Sequence, residues 1–219
     1  MFMTLARVLD EPDIAVVVEK ANSLRWHDGK KTAGRTAALV KHNLQADLSD
    51  KPGAALHKFL LRAVSEHMVL KSAARPAQFS NLILSRTEDG GNYGLHVDNA
   101  TMGPVETRIR TDLSFTLFLS DPEDYDGGEL LLETSSGEYR AKPPAGDLVL
   151  YPSGALHRVT PVTRGTRLAC VGWIQSEVRR ADQREILFDL ENLRAISPQG
   201  DTRLVLDKSI SNLIRMWRD

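Results

Sequence analysis

Leu113-Ser114-Phe115-Thr116-Leu117-Phe118-Leu119-Ser120 decides the fold class. Leu113, Phe115, Leu117 and Leu119 alternate with Ser114, Thr116, Phe118 and Ser120, which is the two-residue period of a strand with one buried face. Working outward, Asp126-Gly127-Gly128 supplies a turn and residues 129–132 begin the next strand. Residues 148–151, 156–162 and 167–174 read as three more, set apart by Pro, Gly and Ser. Upstream, 79–84 is a short apolar run. Short strands with short loops leave little room for crossover helices. An antiparallel sandwich or barrel is therefore expected, not a parallel α/β sheet.

Both ends of the chain change to helical period. Asp10 precedes Glu11, Pro12 and Asp13, an N-cap with an early proline and an acidic first turn, and Ile14, Val17, Val18, Ala21 and Leu24 follow at helical spacing. A Gly-Lys-Lys-Thr-Ala-Gly loop over 29–34 interrupts this pattern. A second helix follows Pro52, with Leu56, Phe59, Leu60, Ala63, Val64 and His67 on one face. In the tail, Ile186, Leu187, Leu190 and Leu193 form one stripe and Leu206, Ile210, Leu213, Ile214 and Trp217 another, separated by residues 198–201. The expectation is an α+β chain. Its first domain, 1–176, has N-terminal helices before an all-β core, and 177–219 is a helical C-terminal extension.

Composition limits the function classes. The 219 residues are 42% hydrophobic and 26% charged, with 28 Lys+Arg against 29 Asp+Glu. A nucleic-acid partner needs a basic field, and the net charge of −1 supplies no overall one, which leaves only a local patch open. One cysteine, Cys170, excludes an internal disulfide and a multi-cysteine zinc site. Residues 1–13 do not read as a signal peptide, and the longest aliphatic run, 14–18, is far short of a membrane span. A cytoplasmic protein with no membrane partner is expected; the oligomeric state is left open.

Six histidines are present. His27, His42, His57 and His67 fall in helices or loops with no metal-ligand pattern. His96 and Asp98 form His-x-Asp after Gly90-Gly91-Asn92-Tyr93-Gly94, and on a strand residues two apart share a face. The tripeptide alone is weak, because chance supplies roughly half an occurrence in a chain of this composition. His157, heading the 156–162 strand, adds a second imidazole. Two imidazoles and a carboxylate make the facial triad that holds iron(II) with open positions.

Arg167 extends this constellation. If Thr163-Arg164-Gly165 is a three-residue hairpin loop, Val162 opposes Thr166, Pro161 opposes Arg167 and His157 opposes Val171. His157, Arg167, Ala169, Val171 and Trp173 then share a face, with Arg167 roughly 13 Å from His157 along the ladder. An interior arginine needs an anion. That anion is either a core Asp or Glu or the far carboxylate of 2-oxoglutarate bound to the metal. Cys170, of opposite parity, points into packing and is structural. Tyr93, three residues before His96, is expected either to orient cosubstrate or substrate through its hydroxyl or to line the barrel mouth.

At this point the sequence resembles the PKHD-type hydroxylases of bacteria, Fe(II)- and 2-oxoglutarate-dependent dioxygenases that share a catalytic module with prolyl 4-hydroxylases. The resemblance rests on Tyr93-Gly-Leu-His-Val-Asp-Asn-Ala100, on residues 117–130 with their Asp-Gly-Gly-Glu-Leu ending, on Tyr151-Pro-Ser, on residues 156–167 and on Trp173-Ile-Gln-Ser176. It reaches back to Trp26-His-Asp-Gly29 and Thr32-Ala-Gly34, and forward through the helical tail. It implies a double-stranded β-helix (jelly-roll) core, with His96, Asp98 and His157 on Fe(2+) and Arg167 on 2-oxoglutarate. It also implies O2 as oxidant, ascorbate as reductant, and hydroxylation of a peptide side chain or a small molecule such as an iron chelator, with release of succinate and CO2. Two positions depart from the pattern: Ser85-Arg86-Thr87 stands where an aromatic residue is expected, and Ala155 where a hydroxyl residue is common.

Three other readings compete. A cupin-like metal barrel that does not use 2-oxoglutarate is expected to show a closely spaced His-x-His, which is absent. A halogenase would replace the Asp98 carboxylate by a small residue. A non-catalytic jelly-roll binding module has no reason to pair the triad with Arg167.

Overall fold

The computed structural model describes residues 2–32 and 37–218. Helix α1, Glu11–Asn22, starts where the Asp10 carboxylate accepts a hydrogen bond from the Asp13 amide at 2.9 Å, a contact that satisfies one of the orphan amides of the first turn. Helix α2, Lys51–Glu66, is capped in the same way by Asp50, which accepts from the Gly53 amide. Its buried residues Leu56, Leu60 and Val64 recur every four positions. His67 ends α2 and caps α3, Met68–Ala74, by accepting from the Leu70 amide. Of the expected 29–34 loop, Gly29–Thr32 is a 3-10 turn, and the remainder lies outside the described residues.

Two antiparallel sheets face each other. The larger runs Met3–Leu5, Leu148–Pro152, Leu113–Phe118, Arg167–Ser176, Ile83–Thr87, Leu44–Ala46, Trp26–Asp28, with Pro76–Phe79 added beside Arg167–Ser176. The smaller runs Gly137–Ala141, Leu130–Thr134, His157–Val159, Asn92–His96, Lys41–His42. In the larger sheet strand parity divides two environments. Leu84, Leu117, Leu148, Leu168 and Cys170 point outward into one apolar cluster with Leu56 and Leu60 of α2. Ser85, Ser114, Thr116 and Arg167 point inward to a cavity between the sheets.

This arrangement corrects two expectations. All six residues of Leu113–Phe118 are buried, so its polar side faces the internal cavity and not solvent. The run 156–162 is broken: His157–Val159 belongs to the smaller sheet, whereas Val162–Arg164 pairs with Asp126–Gly127. The expected hairpin register does not form, because Val171 pairs with Thr116 and Ile83, not with His157. Pro161 supplies the physical reason, since it has no amide to extend a ladder and the chain turns there from one sheet toward the other.

In the tail, α4, Ala181–Ile196, and α5, Asp201–Trp217, pack through Leu187, Leu190, Leu206, Ile210 and Leu213 around Val178. Ile186 and Leu193, expected on the inner stripe, are 46% and 51% exposed. The α4 pairing needs a narrower seam than the sequence pattern offers. Phe188 reaches the main core, and a bridge between Val178 and Arg218 ties the end of α5 back to the barrel. Among the described residues no helix is long and apolar enough to cross a membrane.

Candidate active site

His96 ends one strand of the smaller sheet and His157 begins its neighbour, and the two are paired partners. Between the pairs His157/His96 and Val159/Tyr93 the register slips, so Asn92–His96 carries an extra residue at Gly94-Leu95. A bulge of this kind re-aims the side chain beside it. Asp98 follows two residues after His96. One ligand atom from each of His96, Asp98 and His157 lies within 4.8 Å of the others. His96 Nε2 is 4.0 Å from Asp98 Oδ1, and His157 Nε2 is 3.8 Å from Asp98 Oδ2.

The surroundings aim these atoms. His96 Nδ1 lies 2.8 Å from the Gly94 carbonyl oxygen, and His157 Nδ1 lies 2.9 Å from that of Ala155. A carbonyl only accepts, so each Nδ1 carries the proton and each Nε2 lone pair faces Asp98. Burial and the neighbouring His157 push the pKa of His96 down to about 4, which leaves it neutral at pH 7, as a metal ligand must be. Asp98 Oδ2 accepts from Ser114 Oγ at 2.6 Å, and Ser153 Oγ lies 2.8 Å from Ser114 Oγ. Two imidazoles and an oriented carboxylate suit a divalent transition metal.

Arg167 lines the same cavity and is 3% exposed. Its Nε donates to the Gly128 carbonyl at 2.9 Å, and its guanidinium carbon lies 4.9 Å from the Phe118 ring centroid. Its Nη2 has no hydrogen-bond partner. No carboxylate forms an ion pair with it among the described residues, so the core Asp or Glu alternative is not realised. Burial lowers its pKa, opposed by Tyr125 and Tyr151. Gly128, at φ +67°, makes the position possible: a Cβ there would stand 2.9 Å from Arg167 Cδ and 2.7 Å from Tyr125 Cε2. A buried cation with a free donor is an anion receptor. It fits the far end of a dicarboxylate bound to the triad.

Tyr93 lies on the cavity wall with its ring stacked on His96, centroids 3.6 Å apart. Burial and Asp98 raise its hydroxyl pKa, so it remains a donor. Lys41 and Ser114 escape the sequence reading. Ser114 was signalled by the polar parity of its strand, once that side is understood to be interior. Lys41, in a two-residue strand, carries no pattern that marks it. Burial pulls its pKa down to about 8 against the opposing effect of Asp98 and Asp28, so it is still charged at pH 7. The departures are local. Ser85 and Thr87 both line the cavity, and Ala155 acts through its carbonyl. Outside the triad, His57 accepts from the Leu82 amide and His42 pairs with Asn92.

The family model of the 2OG-Fe(II) oxygenase superfamily matches residues 82–175. The chain is 49% identical over 222 residues to a PKHD-type hydroxylase of Hyphomonas neptunium, spanning 99% of each. Among solved structures it is similar to a prolyl hydroxylase from Trichoplax adhaerens in complex with a hypoxia inducible factor oxygen degradation domain peptide fragment. That match has a TM-score of 0.62 at 16% identity and covers 90% of this chain and 87% of the other. HygX from Streptomyces hygroscopicus with nickel, 2-oxoglutarate and hygromycin B bound gives 0.54 at 12% identity, covering 78% and 81%. At these identities the structural likeness speaks for the jelly-roll fold alone.

Proposed function

The chain belongs to the PKHD-type hydroxylases of the 2OG-Fe(II) oxygenases, and from that premise we propose that His96, Asp98 and His157 hold its iron and Arg167 its 2-oxoglutarate. The family uses Fe(2+), 2-oxoglutarate and O2, and ascorbate is its typical reductant. Iron and 2-oxoglutarate when bound supply oxidising power from O2, with succinate and CO2 released and one oxygen atom delivered to a substrate carbon.

The residues perform the remaining work. His96, His157 and the Ser114-oriented Asp98 would together hold the metal and leave it able to take up the cosubstrate. Arg167 would receive the distal carboxylate in a buried pocket, where its fork of donors would fix the cosubstrate's direction. Tyr93 packs on His96 and keeps a hydroxyl in the cavity. On this reading residues 1–176 form the oxygenase, and 177–219 are a helical extension that caps the outer helices. The substrate is a small molecule or a peptide side chain.

The observation that carries this reading is the convergence of three ligand atoms in a cavity that also contains a buried arginine with an unpaired donor. The test is formation of succinate from 2-oxoglutarate by purified protein with Fe(II) and O2. Succinate no higher than in the iron-only control defeats the reading.

A further inference from the structure

Two of the three triad side chains are oriented from one short turn. The strand Leu148–Pro152 lies against Leu113–Phe118, with Tyr151 paired to Ser114 and Pro152 to Leu113. The chain then turns through residues 153–156 and enters the smaller sheet at His157. On this turn the Ala155 carbonyl accepts from His157 Nδ1 at 2.9 Å. Ser153 Oγ lies 2.8 Å from Ser114 Oγ, the hydroxyl that holds Asp98.

Proton count gives the direction of this chain of hydrogen bonds. Ser114 has one hydroxyl proton. As a metal ligand Asp98 is a carboxylate and only accepts, so the Ser114 proton goes to Asp98 Oδ2. The bond between the two serines is then donated by Ser153. The relay runs from Ser153 to Ser114 to Asp98, and each bond polarises the next. Both serines are buried, so bulk water does not replace a hydroxyl that is removed.

The backbone around the relay is fixed independently of it. The Ser153 amide donates to the Asp112 carbonyl at 3.3 Å. Thr111 holds the segment after Asp98: its hydroxyl donates to the Asn99 carbonyl at 2.5 Å and its amide to that of Ala100 at 3.1 Å. Residues 111–114 thereby grip the chain beyond Asp98, the turn that carries Ser153 and the Asp98 carboxylate. This frame does not set the Ser114 rotor, because a hydroxyl turns about single bonds. A proton donated onto its oxygen from Ser153 does, by leaving the Ser114 proton directed at Oδ2.

We propose that Ser153 is a positioning residue of the metal site, acting on Asp98 through Ser114. The proposal rests on the oxygenase reading above, in which the triad holds a divalent metal. It places the head of the relay on the same turn that orients His157, so that one element sets ligands from two distant parts of the chain.

The test is equilibrium dialysis of Mn(II) against the full chain and its variants. Ser153→Ala is expected to weaken Mn(II) binding about three- to tenfold, the worth of one neutral hydrogen bond. Ser153→Ala combined with Ser114→Ala is expected to bind no more weakly than Ser114→Ala alone, because the relay has one route to Asp98. Gly154→Ala, on the same turn, places its Cβ in open space and is expected to leave the affinity unchanged. A second readout is the visible absorption of the Co(II)-loaded proteins, which follows the coordination of the ion. Ser153→Ala is expected to shift it in the same direction as Ser114→Ala, and Gly154→Ala to leave it in place. Wild-type affinity in Ser153→Ala overturns the proposal. So do losses that multiply in the double variant, and so does an equal loss in Gly154→Ala, which would assign the effect to the backbone of the turn. If wild type itself fails to bind Mn(II), the oxygenase reading falls first and the proposal with it.

Discussion

At the scale of single residues, the proposed role of Arg167 separates cosubstrate binding from metal binding, since it shares the cavity with the triad but lies outside the cluster of ligand atoms. Arg167→Ala is expected to cost about 2–5 kcal/mol of 2-oxoglutarate binding, roughly thirty- to several-thousand-fold in Kd, and to leave Mn(II) affinity unchanged. Anaerobic titration of 2-oxoglutarate into both metal-loaded proteins measures this, and equal Kd values would return Arg167 to a packing role. Ser114 acts one step further back. Ser114→Ala removes the hydrogen bond to Asp98 Oδ2 and is expected to weaken metal binding about ten- to a hundredfold, the usual effect of losing an outer partner of a ligand. Equilibrium dialysis of Mn(II) against both proteins checks it, and unchanged affinity would mean that Asp98 is oriented without the serine. The residues proposed to carry the chemistry are unevenly legible in the sequence. His96 and Asp98 are marked by their spacing, and Arg167 by its interior parity on a strand. Lys41, on the wall of the same cavity, is invisible there, because nothing local distinguishes a buried lysine in a two-residue strand from an exposed one.

At the scale of elements, the strand Asn92–His96 must bulge to aim His96, and Gly94 makes the bulge compatible with its neighbour. A Cβ on Gly94 would stand 2.8 Å from Val40 Cβ, and the Gly94 carbonyl is the acceptor that orients His96. Gly94→Ala is therefore expected to destabilise the fold by about 1–3 kcal/mol through overpacking and to weaken metal binding as well. Leu60→Ala in α2, fully buried but on the outer side of the larger sheet, is expected to cost about 2–5 kcal/mol of stability with metal affinity intact. Denaturant unfolding and Mn(II) titration on both variants distinguish the two; an unaltered metal affinity in Gly94→Ala would detach the bulge from the site. The helices and most strands were legible from period and caps, because Asp10, Asp50 and the alternation at 113–118 act locally. Sheet membership was not. The run 156–162 shows one alternation, yet its halves pair with different partners, and that choice depends on contacts far away in the chain. The same limit explains why Leu113–Phe118 was read as half-exposed: alternation reports two environments without saying that the polar one is internal.

At the scale of the whole molecule, nearly balanced charge leaves no strong overall field to draw the cosubstrate in, so affinity must come from the cavity itself. Among the described lining residues that cavity holds one carboxylate, Asp98, with Arg167 at its far end; Arg167 draws one end of the dianion, whereas Asp98 repels the other end until a metal covers it. Binding is therefore expected to be ordered: Mn(II) stabilises the fold alone, 2-oxoglutarate alone does little, and the two together stabilise by more than their separate effects. A ligand at a hundred times its Kd contributes about 2.7 kcal/mol, which in a chain of this size raises Tm by about 5–11 °C. Acid should reverse this. The pKa of His96 is lowered to about 4 in the folded protein against about 6.5 unfolded. Its contribution to the stability of the metal-free protein is thus fully present above pH 6.5 and is lost as pH falls through 4, on the order of 3 kcal/mol at most. Thermal unfolding at pH 7 with Mn(II), 2-oxoglutarate, both or neither, repeated on metal-free protein down to pH 4, measures both effects. Stabilisation by 2-oxoglutarate as large without metal as with it would show that the dicarboxylate binds away from the triad, and a metal-free stability flat from pH 6.5 to 4 would show that His96 is not held neutral by its burial.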